Sequence, residues 1–355
     1  MIEALLDTWG EPPVTAGAGL VTGLVFGAAA QHSRFCLRAA TVEVAGGVLG
    51  PRLAIWLVAF FAALATTQAA VWAGAVDLTS ARQLASPGSL AGAVIGGLMF
   101  GVGMILARGC ASRLLVLSAT GNLRALVAGL VVTLVAQASL TGVLAPLRER
   151  ISLLAIVEGG AQRDLALRFG IGRGVIVLVA VAGLALGVWL ARRHRVPLGQ
   201  VLAGAVVGLA VALGWFLTFM VASVSFDIVP IGSVTFTGPS TDTLMTLVAR
   251  REVVLSFGIG LVPGVFISAM IAAVAKGEWR IERFGADTPV ERYLVGAVLM
   301  GFGAMLAGGC AVGAGVTGGA ILSLTAWVAV AAMWAGALLA QWVIQWRSTS
   351  AQPVV

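Results

Sequence analysis

The sequence predicts an all-α polytopic membrane protein. It should have about nine transmembrane helices, short re-entrant half-helices between them, and two inverted repeats. Three observations predict this. First, 59% of the 355 residues are hydrophobic and only 10% are charged, where a soluble domain carries about 25% charged residues; mean hydropathy is +1.03. Second, the apolar residues gather in runs near the roughly 20 residues that cross a bilayer. Third, one segment recurs at a fixed offset in the second half of the chain. This composition excludes a soluble domain, a disordered chain and a disulfide-rich secreted module. The whole chain, 1–355, reads as one transmembrane domain.

The nine expected spans are 16–31, 53–76, 90–107, 123–145, 173–190, 199–222, 252–275, 292–309 and 322–345. Four stretches between them are too broken to span and too apolar for ordinary loops: 34–50, 110–121, 224–247 and 310–320. They are expected to be half-helices, which membranes tolerate only where protein or water covers the backbone. Glycine is abundant, 47 of 355 residues; small residues let membrane helices approach closely. Residues 1–15 carry Glu3, Asp7 and Glu11 and no basic region, so no cleavable signal peptide is expected.

Orientation follows from the arginines. Net charge is +7, with 22 Lys and Arg. Nine spans place the termini on opposite faces. Fourteen basic residues then share the face of the C-terminus, including Arg34, Arg38, Arg52 and the Arg192-Arg193-His194-Arg195 cluster. Eight share the other face, among them Arg82, Arg148, Arg250 and Arg251. The positive-inside bias puts the N-terminus outside and the C-terminus in the cytoplasm. The excess charge is spent on topology, and no nucleic-acid partner is expected.

The repeat is GGLMFGVGMILARGC at 96–110 and GAVLMGFGAMLAGGC at 296–310, identical at seven of fifteen positions. Two of the three cysteines fall in register. The copies are the third and eighth spans, so they point in opposite directions. GLVTGL at 19–24 and GAVVGL at 204–209 echo one another in the same way. The expected plan is four spans (about 16–145), a connecting helix (about 173–190) and four spans (about 199–345). Many transporters are built so, with the site near the midplane.

Cys36, Cys110 and Cys310 are the candidate site. A free cysteine ordinarily packs as a small hydrophobe. The in-register pair, flanked by Gly109 in one copy and Gly308-Gly309 in the other, points instead to a designed break in each helix. The half-helix after each break offers free N–H groups and a partial positive charge, which bind anions. Thiols add soft, weak contacts. Together they suit a small anion carrying a soft sulfur atom. Three cysteines and two histidines without a CxxC pattern do not make a metal site, and no cofactor is expected. Cys310 on the outer half, Cys110 near the centre and Cys36 on the inner half would string thiols along a path. The position symmetric to Cys36, near 221–240, has no cysteine.

Arg108 and Arg113 flank Cys110, and intramembrane charge is a functional signal by default; snorkelling to the interface is the alternative for Arg113 and Arg124. Arg108 has Gly308 as its counterpart. Asn122 is expected to cap the helix that opens at 123. Asp227 and Asp242 either line an outer vestibule or are solvated loop residues. Arg148, Arg150, Arg163 and Arg168 face outside and raise local anion concentration, with Glu149, Glu158 and Asp164 partly cancelling them. His32 either tunes the Cys36 thiol or sits at the interface. Trp334, Trp342 and Trp346 read as packing and interfacial belt.

At GVGMILARGC (101–110), GFGAMLAGGCAVGAGVTGG (301–319) and the FC at 35–36, the chain resembles the YeeE/YedE family of sulfur-transport membrane proteins. The resemblance runs from about residue 16 to about 345. It implies an inner-membrane permease with nine spans and short extra helices, taking up thiosulfate or a related sulfur or selenium species. The family's three cysteines map onto Cys36, Cys110 and Cys310. A small cytoplasmic sulfur-carrier protein of the TusA type is the expected partner. One position departs. The family often has a small residue three after each GC cysteine; Gly313 fits, but Arg113 stands in the first copy. It either adds a charge partner for the anion or narrows the path. The rival functional class is a membrane sulfurtransferase that forms a cysteine persulfide; a scaffold with structural cysteines is the third. No GxxxxGK[ST] motif is present, so no ATPase is expected.

Overall fold

The computed structural model describes residues 2–249, 254–285 and 289–350. Arg250, Arg251 and the first two residues of the expected span 252–275 lie outside the described residues, as does the side chain of Arg347. The first half contains α1 (Ile2–Trp9), α2 (Glu11–Ser33), α3 (Leu37–Ala45), α4 (Pro51–Trp72), α5 (Arg82–Ala85), α6 (Leu90–Leu106), α7 (Ala111–Ala119), α8 (Leu123–Leu140), α9 (Ala145–Ser152) and α10 (Leu165–Phe169). Then come α11 (Arg173–Arg193), α12 (Leu198–Val224), α13 (Thr237–Ala249), α14 (Phe257–Ala275), α15 (Val290–Ala307), a π-helix (Ala311–Gly318) and α16 (Leu324–Ser350). A short antiparallel pair, β1 (Gly88–Ser89) and β2 (Ile156–Val157), closes one face. Among the described residues, nine helical stretches are long and apolar enough to cross a membrane. The protein is a multi-pass, all-α membrane protein.

Helix starts follow local chemistry. Pro51 opens α4, and the Glu43 carboxylate accepts from the amides of Arg52 and Leu53, each at 2.9 Å. Ser89 accepts from the Gly92 amide at 2.8 Å to cap α6. Asn122 caps α8 through the Ala125 amide at 2.9 Å, as its place in TGNLR predicted. Several expected spans have different ends: 16–31 begins earlier, at Glu11, and 53–76 stops at Trp72. The span 123–145 stops at Leu140, because the chain turns at Thr141–Leu144 before α9. The span 252–275 begins only at Phe257, capped by the Ser256 hydroxyl. The four broken stretches hold α3, α7, α13 and the π-helix; residues 225–236 reach α13 in irregular backbone.

Glycines set the packing. Gly19, Gly23 and Gly27 of α2 face Gly260 and Gly264 of α14, at a separation that leaves no room for a Cβ. The two copies of the repeat pack against each other, antiparallel and reciprocally. A Cβ on Gly96 would meet the Ala307 amide and the Gly303 carbonyl at 2.6 Å; one on Gly296 would meet the Ala107 amide at 2.6 Å and the Gly103 carbonyl at 2.7 Å. Pairings elsewhere match in the same way. α2 packs on α14 and α12 on α4; α6 packs on α16 and α15 on α8; α7 touches α14 and the π-helix touches α4. α11 stands apart, packed along α4.

These contacts predict a matched pair of variants. Gly96→Ala should destabilise by about 1–3 kcal/mol, since its methyl has only backbone to push against. Gly129→Ala, where a Cβ meets nothing within 4 Å, should stay within about 0.5 kcal/mol of wild type. Thermal unfolding of the detergent-solubilised proteins checks both.

Candidate functional site

Each cysteine occupies the same local position, the residue just before a short helix. Cys36 precedes α3, Cys110 precedes α7 and Cys310 precedes the π-helix. Two residues before each, the backbone turns left-handed: Arg34 at φ +54°, Arg108 at φ +58° and Gly308 at φ +79°. This turn ends the incoming helix and aims the next helix's N–H groups back into the protein. Glycine adopts it freely, whereas arginine there is strained by about 1–2 kcal/mol. Gly309 is needed for closeness, since a Cβ there would meet the Ala314 amide at 2.9 Å. At Gly109 the nearest neighbour is the Leu114 side chain, at 3.2 Å.

All three thiols are free and buried. Cys310 is 0% exposed, and its Sγ accepts from the Gly313 amide at 3.4 Å. The Cys110 Sγ lies 3.3 Å from the Ser112 hydroxyl. The thiols of Cys36 and Cys110 are neighbours, close enough to interact with each other. The position before α13 is held by Phe236, 200 residues after Cys36 and 1% exposed. Its ring meets Phe26 at 5.1 Å. Where a fourth thiol would stand, an aromatic plug stands instead. Aligning Phe35-Cys36-Leu37 with Thr235-Phe236-Thr237 at the repeat offset would have found it.

Cys36 opens onto a cavity of about 610 Å³ on the face where α2 and α14 end. Six arginines line it: Arg34, Arg38, Arg52, Arg108, Arg113 and Arg280. Its two carboxylates are already committed. Glu278 takes Arg34 at 3.4 Å and the Gln31 amide at 2.9 Å. Glu282 takes Arg124 at 2.9 Å and Arg280 at 2.8 Å. Partial burial works against the charged form of Glu282, but the hydrogen bonds from Arg280 and Arg124 outweigh it and hold the carboxyl below its ordinary value. Among the described residues, Arg38, Arg52, Arg108 and Arg113 have no ion-pair partner. Arg113 reaches the Gln31 carbonyl oxygen at 3.4 Å and lies beside both thiols. Arg124, by contrast, is committed to Glu282.

The remaining candidates scatter. His32 contacts Lys276, with Gly199 beside its ring. Asp227 is exposed, and its amide meets the Ser225 hydroxyl, which itself donates to Glu11. Asp242 is exposed on α13. Trp334 packs edge-on to Trp56 at 5.5 Å, while Trp342 and Trp346 are exposed. Arg148, Arg150, Arg163 and Arg168 lie on the face opposite the cavity. Among the described residues no group of three or more His, Cys, Asp or Glu is placed to hold a metal ion.

The arrangement brings cations without ion-pair partners and the Cys36 thiol, at the start of α3, to one recess, with the buried Cys110 thiol behind it. Comparison with known proteins agrees with that chemistry. A family model described as "Sulphur transport" matches residues 32–339. A thiosulfate transporter, TsuA, from Spirochaeta thermophila is 26% identical over 339 residues, covering 92% of this chain and 97% of the relative. TsuA of Escherichia coli K12 is 37% identical over 111 residues, and that alignment spans only 31% of each chain. With a family match that runs through the first two thiols, the repeat and the third thiol, the chain belongs to the sulphur-transport family.

Proposed function

We propose that the protein is a permease of the inner (plasma) membrane that takes up thiosulfate. The observation that carries this is the Cys36 thiol on the wall of the arginine-lined recess, with the Cys110 thiol as its buried neighbour. A dianion is neutralised there by guanidinium groups, and its terminal sulfur meets soft S–H groups. Several weak contacts let an ion enter without being trapped. Cys310, Cys110 and Cys36, with Gly109, Gly308, Gly309, Arg108 and Arg113, form the substrate path. The N-terminus is outside and the recess is cytoplasmic. The halves, about 16–145 and 199–345 around a connecting helix at about 173–190, are inverted repeats. What supports this is the reciprocal packing of Gly96 on Ala307 and Gly296 on Ala107. A TusA-like carrier collects the product at the recess, whose rim is rich in charge. The thiol pair also suits the rival chemistry, a sulfurtransferase that holds sulfur as a persulfide.

Uptake of labelled thiosulfate into cells or proteoliposomes tests this. Cys36→Ala, Cys110→Ala and Cys310→Ala should each lower uptake by about tenfold or more, the worth of one favourable polar contact. Undiminished uptake by Cys110→Ala and Cys310→Ala overturns the thiol path. Mass spectrometry of protein recovered during turnover should find unmodified thiols; a persulfide adduct would assign the sulfurtransferase instead.

Arg108 gives a second test. Arg108→Gly removes left-handed strain and should raise stability by about 1 kcal/mol. It also removes a cation from the recess and should lower uptake. The two effects have opposite signs, read by thermal unfolding and by transport. Higher stability with unchanged uptake would remove Arg108 from the path.

A further inference from the structure

On the face opposite the recess lies a second cavity, of about 620 Å³. Its cations are Arg82, Arg148 and Arg163. Arg163 is built into the wall. It is 7% exposed, donates to the Ser86 carbonyl and the Thr325 hydroxyl, each at 2.5 Å, and packs against the backbone of Gly88. Its Nε has no partner although it is buried. Asp164, the next residue, does not neutralise it, because Arg173 takes that carboxylate at 2.5 Å. Among the described residues, Glu149 is the one carboxylate on the cavity wall, and Arg148 holds it at 3.3 Å. Burial, and next the Arg82 guanidinium, push Arg163 below its ordinary value, as expected for two cations held together without an acid. The N-terminus of α6 and the C-terminus of α15 both reach this cavity, so their dipoles oppose and the guanidinium groups decide its sign.

A buried, unpaired cation is costly unless an anion meets it. The geometry points to an oxyanion-binding site in this cavity, held by Arg82 and Arg163 with Arg148 at its edge, that takes tetrahedral divalent anions such as sulfate and thiosulfate alike. No thiol lines it, so it reads charge and oxygen geometry and does not read sulfur. Gly308, two residues before Cys310, is part of its wall. In a permease that faces this cavity outwards, it is the capture site. Selection between sulfate and thiosulfate then happens further in, at the thiols. That role rests on the permease reading; the binding itself does not.

Isothermal calorimetry of the purified full chain in detergent, with sodium sulfate and sodium thiosulfate at constant ionic strength, tests the site. Arg82→Gln should weaken both anions by about tenfold or more, since one charged hydrogen bond is lost. Arg163→Gln should do the same if it folds; Arg82 is exposed, so its variant keeps the test open. Arg168→Gln removes an equal charge from the same face, outside the cavity, and should bind within about twofold of wild type. Unchanged affinity in Arg82→Gln, equal weakening in Arg168→Gln, or wild-type binding of thiosulfate without sulfate would each overturn the site. In transport, external sulfate should compete with thiosulfate uptake in wild type and lose that effect in Arg82→Gln. If wild type takes up no thiosulfate while Arg82-dependent sulfate binding persists, the permease reading fails and the site stands.

Discussion

Backbone broken at membrane depth must be covered by protein, and the rest of this structure answers to that constraint. Four short helices interrupt the spans, and each begins with N–H groups that lipid cannot satisfy. Side-chain bulk would hold the spans too far apart to seal them. The contacts between α6 and α15, and between α2 and α14, are therefore backbone against backbone, with glycine at the crossing points. This explains the glycine content better than flexibility does, since most of these glycines have ordinary helical conformation. The close crossings wall off the breaks from lipid and leave their N–H ends facing the interior.

Electrostatics then separates the two faces. The same turn is built at Arg108 in one half and at Gly308 in the other. Where the backbone would prefer glycine, the first half carries a cation, and Arg34 repeats the choice. Strain tolerated at a recess lined by six arginines is a sign that the charge has work there. At the matching positions 200 residues on stand Val234 and Gly308 in place of the two arginines, and Phe236 in place of Cys36. In the proposed repeat the halves would share a scaffold while differing at these positions.

Much of this was legible in the sequence, and the parts that were not have physical reasons. The spans were visible because hydropathy is a composition property summed over about 20 residues. Span ends moved where they depend on single residues, as at the turn after Leu140 and the cap at Ser256. The breaks were legible through Gly109 and Gly309, whose spacing to cysteine recurs. The Cys36–Cys110 proximity was not, because it joins residues that no periodicity links. Phe236 was hidden by its character: an aromatic in an apolar chain carries no signal until its register with Cys36 is drawn. In the sequence Arg163 is one of four outward arginines expected to raise local anion concentration, and Arg82 one of eight basic residues on that face, with nothing to single out either. Only the structure separates Arg163, which is buried and unpaired, from Asp164, whose carboxylate is spoken for.

α11 carries no thiol and meets the rest of the protein along α4. On the proposed plan of four spans, one connecting span and four spans, its consequence is one of biogenesis. Four spans return a growing chain to the side it started from, so a second four-span unit would thread the same way up as the first. One added span reverses that parity. α11 is strongly apolar, and Arg192, Arg193 and Arg195 follow at its end; in the proposed orientation this cluster would be the stop that fixes its direction during insertion. A chain without it would present α15 parallel to α6. The reciprocal glycine crossing could then not form, however well each half folded.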